Sequence, residues 1–341
     1  MVIFGITAYS YGTSYFFLPM FLIPLLIYLR YEKQINTSKI FIGLIIVGTI
    51  SLPIILYVLI NTFSLNEIKL GPFTVPKLQV NRYEEQTGLF SGNIVVNLLF
   101  NFISQIKMLI TQDDGLIWNN IPGFGMIYVI SLPFLILGII FSFNEKNKYI
   151  VIFKIWFISS FLLFFVLNNV NINRINIFII PMIYFTIEGI YCVIKNSKTA
   201  TLILIIAYIF SFIIFEIMYY ATKINKYMFV SNIQEVIEYI DNLDAENIFF
   251  EYSFKEPYIY VLYYIQYNVH DFIRTVEFFD KENIGKFDNV KGFGKYKFYI
   301  PEELENTKNN VYVVHKYNIN ILNYSKFKIK DFEDYLVLYS D

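Results

Sequence analysis

The sequence predicts a mainly α polytopic membrane protein of about six transmembrane helices, with a small C-terminal extracytoplasmic α/β domain. Three observations carry this. Of 341 residues, 56% are hydrophobic and only 16% charged, with a mean hydropathy of +0.50; ordinary globular domains carry about a quarter charged. The charges are segregated: residues 1–221 hold 13 Lys/Arg and 9 Asp/Glu, whereas residues 222–341 hold 14 and 19. The first region also contains six apolar runs of the length a bilayer core demands, about 20 residues in a helix.

Those runs are 13–30, 40–61, 126–143, 150–168, 175–194 and 200–221. Pro19, Pro24, Pro53, Pro133 and Pro181 lie inside them, where membrane helices tolerate proline better than soluble ones do. Short loops set the expected orientation. Arg30, Lys33 and Lys39 flank one turn, Lys146 and Lys148 a second, Lys195 and Lys198 a third. Placing all three in the cytoplasm puts the N-terminus, the long loop 62–125 and the C-terminal domain outside the bacterial plasma membrane.

Within that outer loop, residues 93–111 read NIVVNLLFNFISQIKMLIT. Asn93, Asn97, Asn101, Ser104 or Gln105, and Thr111 recur at helical spacing, which predicts an amphipathic helix lying in the interface. Met1–Ala8 reads as the stub of a preceding membrane helix, so the chain is expected to be the C-terminal part of a larger protein.

Residues 222–341 predict an α/β domain. Ser231 and Gln234 form a capping-box pattern, and Ile233, Val236, Ile237, Ile240 and Leu243 trace one helical face behind it. Strands are expected at 247–252, 275–279, 296–300, 310–315, 327–330 and 335–339, with a second helix over 256–265 entered through Pro257 and a turn at Gly292 and Gly294.

Composition also excludes. A net charge of −1 leaves no electrostatic footprint for nucleic acid. A single cysteine, Cys192, permits no intramolecular disulfide, and two distant histidines, His270 and His315, argue against a histidine-rich metal site. No Ser-His-Asp set, zinc spacing or nucleotide-binding loop is present.

Three stretches taken together resemble a known family: GITAYSYGTSYFFLP at 5–19, DDGLIWNNIPGFGMIYVISLPF at 113–134 and NRINIFIIP at 173–181. In this order, followed by an extracytoplasmic domain, they are similar to the C-terminal two-thirds of bacterial family 39-like glycosyltransferases of the GT-C superfamily, relatives of protein O-mannosyltransferases and aminoarabinose transferases. The resemblance implies a membrane enzyme that transfers a sugar from a polyprenyl-phosphate donor to a glycan or protein acceptor on the outer face. The family's catalytic base is an acidic residue in the first extracytoplasmic loop. This chain has no counterpart to that loop, so its catalytic residue is unknown, and Asp113 and Asp114 do not take the role. The family's Arg before a Pro is matched by Arg174 and Pro181.

Each candidate residue has a functional and a plain reading. Arg174 either holds a lipid phosphate, where a guanidinium suits the oxygens, or anchors a helix end. Lys107 meets a phosphate or snorkels to the headgroups. Asp113, Asp114, Trp118 and Asn119 bind a sugar, or form a solvated turn with a belt tryptophan. No cofactor is identified with certainty, and a divalent cation on the paired carboxylates is left open. Tyr9, Tyr11 and Tyr15 read as belt anchors. Glu188, inside a span, is a default functional candidate; Glu216 lies nearer a helix end. Two other functions remain open: a transporter or flippase subunit for lipid-linked glycans with Glu188 on its pathway, and a membrane anchor displaying a glycan-binding domain.

Overall fold

The computed structural model describes all residues except 72, 79–92, 117, 169–170, 222–231, 252–255, 281–288, 317–323 and 341. The chain divides into two compact units, Met1–Thr222 and Lys223–Asp341.

The first unit is helical: α1 (Val2–Thr7), α2 (Ser14–Tyr31), α3 (Thr37–Thr62), α4 (Ile94–Thr111), α5 (Leu132–Ser142), α6 (Lys148–Phe161), α7 (Leu163–Val166), α8 (Ile179–Ile194) and α9 (Lys198–Ala221). Short 3-10 turns, Val129–Ser131 and Ile172–Phe178, lead into α5 and α8. A small hairpin, β1 (Ile68–Leu70) and β2 (Phe73–Val75), follows α3. Asparagines start several of these helices. Asn36, Asn93 and Asn147 each accept a hydrogen bond from a backbone N–H in the first turn, satisfying a donor that has no partner within the helix.

Six helices are long and apolar enough to cross a membrane: Ser14–Tyr31, Thr37–Thr62, Ile94–Thr111, Lys148–Val166, Ile172–Ile194 and Lys198–Ala221. Five coincide with expected runs. The sixth does not, because residues 126–143 form only the shorter apolar helix Val129–Ser142. The reason lies just upstream. Residues Ile121, Phe124 and Tyr128 pair with one another in tight turns, Gly123 takes a positive φ of 85°, and Pro133 sits in the first turn of α5.

The long helix absent from the expected six is α4. Its polar side chains were expected to face water. In the structure Asn101 and Gln105 are buried, and Asn101 Nδ2 donates to the Phe165 carbonyl of α7. Ile94, Val95, Val96, Leu99, Phe100 and Ile103 are exposed instead. Helix α4 thus turns these two amides inward and a row of aliphatic side chains outward. In helix α9 none of the residues is buried, although it is almost wholly apolar.

The core of this unit is aromatic. Phe164, Phe178, Phe185, Leu163, Ile175 and Met182 are buried to 2% exposure or less. Phe157 packs on Phe178 with ring centroids 4.8 Å apart, and Phe164 on Phe178 at 5.1 Å; such pairs contribute about 0.5–1.5 kcal/mol each beyond burial. Helices α5 and α8 approach most closely at Gly138 and Gly189. A Cβ on Gly138 would lie 1.7 Å from the Phe185 carbonyl oxygen, and one on Gly189 would lie 1.9 Å from that of Phe134. Only glycine admits this backbone-on-backbone contact.

The second unit holds α10 (Ile233–Asp241), β3 (Asn247–Phe250), α11 (Pro257–Tyr264), α12 (Val269–Thr275), β4 (Glu277–Phe278), β5 (Val290–Phe293), β6 (Tyr296–Lys297), β7 (Asn310–His315), β8 (Lys328–Phe332) and β9 (Tyr335–Tyr339). One sheet runs in the order β4-β5-β6-β3-β7-β9-β8. Strand β3 lies parallel to both β6 and β7, and the other pairings are antiparallel. Ile233, Val236, Ile237 and Ile240 of α10 are fully buried in the same cluster as Ile248, Phe250 and Val313, as their spacing predicts. The expected cap at Ser231 lies outside the described residues. Strand β5 and helix α12 were not expected. β5 contains Gly292, which reads as a turn residue; the turn itself is at Gly294, with φ of 49°.

Candidate functional site

Helix α4 ends at Gln112, which takes a left-handed φ of 54°. Its side chain then organises the next segment. Nε2 donates to the Leu109 carbonyl at 2.6 Å, and Oε1 accepts from Ile127 N at 3.0 Å. The Gln112 carbonyl accepts from Asn120 Nδ2 at 2.9 Å. Gln112 is almost fully buried. Gly125 lies directly against it, where a Cβ would come within 2.8 Å of the Gln112 carbonyl oxygen. The end of α4 and the 120–127 segment therefore hold each other in place.

Asp113 and Asp114 follow. Asp113 Oδ1 accepts from Gly115 N at 2.8 Å, which makes a local turn. Asp114 reaches further. Oδ1 accepts from Leu116 N at 2.9 Å, while Oδ2 accepts from Asn119 Nδ2 at 2.7 Å and from Ile172 N at 2.9 Å. One half-buried carboxylate thus joins two loops 58 residues apart. Asparagines complete the junction. Asn173 Nδ2 donates to Asn119 Oδ1 at 2.6 Å, Asn119 Nδ2 lies 3.3 Å from Asn171 Oδ1, and Asn171 Oδ1 also accepts from Asn173 N at 2.9 Å.

Arg174 stands next in the chain. Its Nη1 donates to the Asn168 carbonyl at 3.0 Å. That single bond uses one of the five N–H donors of the guanidinium. Trp118, on the same loop as Asn119, is 59% exposed. The structure therefore joins Asp114 and Asn119 to Ile172 and Asn173, and Arg174 follows them directly in the chain. Lys107 is exposed on α4, one turn before Thr111, whose hydroxyl donates to the Lys107 carbonyl at 3.0 Å. Glu188 is half-buried on α8, one turn beyond Tyr184 and directly before Gly189.

A cavity of about 470 Å³ adjoins the segment that Gln112 holds. Phe124, Gly125, Tyr128, Ser131, Tyr208 and Phe215 are among its walls. Its lining is mainly apolar, and the Ser131 and Tyr208 hydroxyls hydrogen-bond each other at 2.7 Å. Among the described residues, no carboxylate or amine side chain lines it. The volume lies within the range of small-molecule sites.

Among the described residues, no three His, Cys, Asp or Glu side chains group to hold a metal ion. Asp113 and Asp114 both spend an oxygen on backbone N–H groups of their own loop.

Sequence reading singled out Asp114, Asn119 and Arg174 but passed over Gln112, Asn120, Asn171 and Asn173. The dense run of asparagines over 168–173 was the available signal, hidden by the abundance of asparagine throughout the chain. No family model, curated protein or solved structure matches the chain.

Proposed function

We propose that this chain is a membrane glycosyltransferase, or the C-terminal portion of one, that uses a polyprenyl-phosphate-linked sugar on the outer face of the membrane. The observation that carries the reading is the Asp114 junction. Through Ile172 and Asn173 it ties the 113–134 stretch to the start of the 173–181 stretch, two of the three that resemble the GT-C family, one residue before Arg174. In this reading Arg174 binds the donor phosphate through its remaining N–H groups. Trp118 stacks on a sugar ring, and Asn119 holds the loop on which Trp118 stands. Asp114 positions the loops and does not act as the base; all its oxygens are engaged by donors that hold the fold.

The test is binding in nanodiscs. Polyprenyl phosphate should bind at least about tenfold more tightly than the matching polyprenol, since a charge-assisted Arg contact is worth roughly 1.5–3 kcal/mol. Arg174→Ala should erase that preference and Arg174→Lys should restore part of it. Equal affinity for phosphate and alcohol, or an Arg174→Ala protein that keeps the preference, would remove the assignment.

A further inference from the structure

The cavity beside the segment that Gln112 holds takes no part in the sugar-transfer reading, and its walls have a chemistry of their own. One part is aromatic. Four rings follow one another, Phe215 to Phe124 with centroids 5.6 Å apart, Phe124 to Tyr128 at 5.9 Å and Tyr128 to Tyr208 at 6.1 Å. Another part is supplied by one face of α8, where Ile183, Thr186, Ile187 and Ile190 line the cavity at helical spacing.

Thr186 stands out among these. It is only 6% exposed, and its hydroxyl is buried without a hydrogen-bond partner. A helical threonine can satisfy its hydroxyl on the carbonyl four residues back. Thr7, Thr111, Thr201 and Thr275 do so, bonding to the carbonyls of Ile3, Lys107, Ser197 and Asp271. Thr186 makes no such bond to Met182. A buried hydroxyl left unpaired destabilises a fold, so this one calls for a partner from outside the chain. The Ser131 and Tyr208 hydroxyls bond each other, which engages one of their two hydrogens and leaves the second to donate.

The cavity thus holds hydroxyl donors, apolar walls and, among the described residues, no charged side chain. What it lacks is an acceptor. A charged guest would be buried without a counter-charge, which is strongly unfavourable. A guest apolar throughout would leave Thr186 unpaired. We propose that the cavity binds an uncharged, mainly apolar ring compound bearing a carbonyl group. Its rings lie against the aromatic wall, and its carbonyl oxygen accepts from Thr186. Threonine has two χ1 settings open to it in a helix, so the hydroxyl can turn to meet the guest. The inference rests on this cavity alone and stands apart from the Asp114 junction.

The test is photochemical and uses the full chain in detergent. Benzophenone is such a compound. On irradiation its carbonyl oxygen takes a hydrogen atom from a nearby C–H bond and the two carbon radicals join, so the adduct marks the site. Mass spectrometry should find adducts concentrated on Met126, Ile183 and Ile187, which line the cavity. Fluorenone should suppress them at a concentration at least about fivefold lower than fluorene, which has the rings without the carbonyl, because a hydrogen bond separates the two. Thr186→Val should erase that difference and Thr186→Ser should keep it. In the ligand-free protein Thr186→Val should leave the melting temperature unchanged or raise it, since an unpaired hydroxyl is removed. Adducts spread over the chain, fluorene competing as well as fluorenone, or a Thr186→Val protein that retains the difference would each overturn the proposal. So would a lower melting temperature for Thr186→Val, which would return the hydroxyl to a structural role.

Discussion

Gly138 and Gly189 meet backbone to backbone: each sits where a Cβ would fall within 2 Å of a carbonyl oxygen on the other helix, that of Phe185 or Phe134. Both glycines follow a phenylalanine by four residues, so the two helices contribute matching Phe-x-x-x-Gly segments. Close backbone packing of this kind joins helices without drawing on a hydrophobic drive.

Replacing either glycine should therefore be severe. Gly138→Ala or Gly189→Ala should destabilise the first unit by about 3 kcal/mol or more, because backbone must move to admit the methyl group. Gly48→Ala is the comparison. Nothing lies within 4 Å of a Cβ there, so its effect should stay within about 0.5 kcal/mol. Thermal denaturation in one detergent measures all three.

The Asp114 junction makes a second prediction. Asp114→Ala takes the acceptor from Ile172 N and Leu116 N and leaves Asn119 Nδ2 only its longer bond to Asn171 Oδ1, at a cost of about 1–3 kcal/mol. Asn119→Ala should be partly redundant with it. A double-mutant cycle should give a coupling of about 0.5 kcal/mol or more, and strict additivity would show that the two side chains act independently.

Trp118 should behave in the opposite way. It is largely exposed, so Trp118→Ala should leave the melting temperature nearly unchanged while weakening binding of the sugar-charged donor. Loss of stability without loss of binding would return Trp118 to a packing role.

The C-terminal unit should be sensitive to alkali. Burial and a hydrogen bond with Tyr339 push the Tyr239 phenol up to about 12. Burial, reinforced by the Asp241 carboxylate, raises Tyr296, and burial with Asp334 nearby raises Tyr335. Each phenol ionises more readily in the unfolded chain, where its pKa is about 10. The stabilisation is thus complete below about pH 10 and is lost as pH rises through the folded values. Tyrosinate absorbance and circular dichroism should change together above that pH. Tyr296→Phe removes the hydroxyl that donates to Asp241 at 2.6 Å and should make the loss shallower.

The turn between β5 and β6 gives a local test. Gly294 has a positive φ, and a Cβ there would approach the Tyr267 hydroxyl to 2.5 Å. Gly294→Ala should destabilise the second unit by about 1 kcal/mol or more, readable from chemical denaturation.

Much of the architecture was legible from residue order because it depends on local hydrophobicity. Apolar runs of helical length located five of the six long helices, and the spacing of Ile233, Val236, Ile237 and Ile240 located the buried face of α10. Periodicity also showed that α4 has a polar and an apolar side. It could not show which side faces inward, because that depends on the solvent around the helix and on acceptors such as the Phe165 carbonyl, 64 residues away. The candidate site divides the same way. Residue types and family-like stretches marked Asp114, Asn119 and Arg174. That the first two meet Ile172 and Asn173 was decided only when the chain folded, since a carboxylate half out of water must satisfy its oxygens, and the donor that completes Asp114 is a backbone N–H at Ile172 that no side-chain pattern announces.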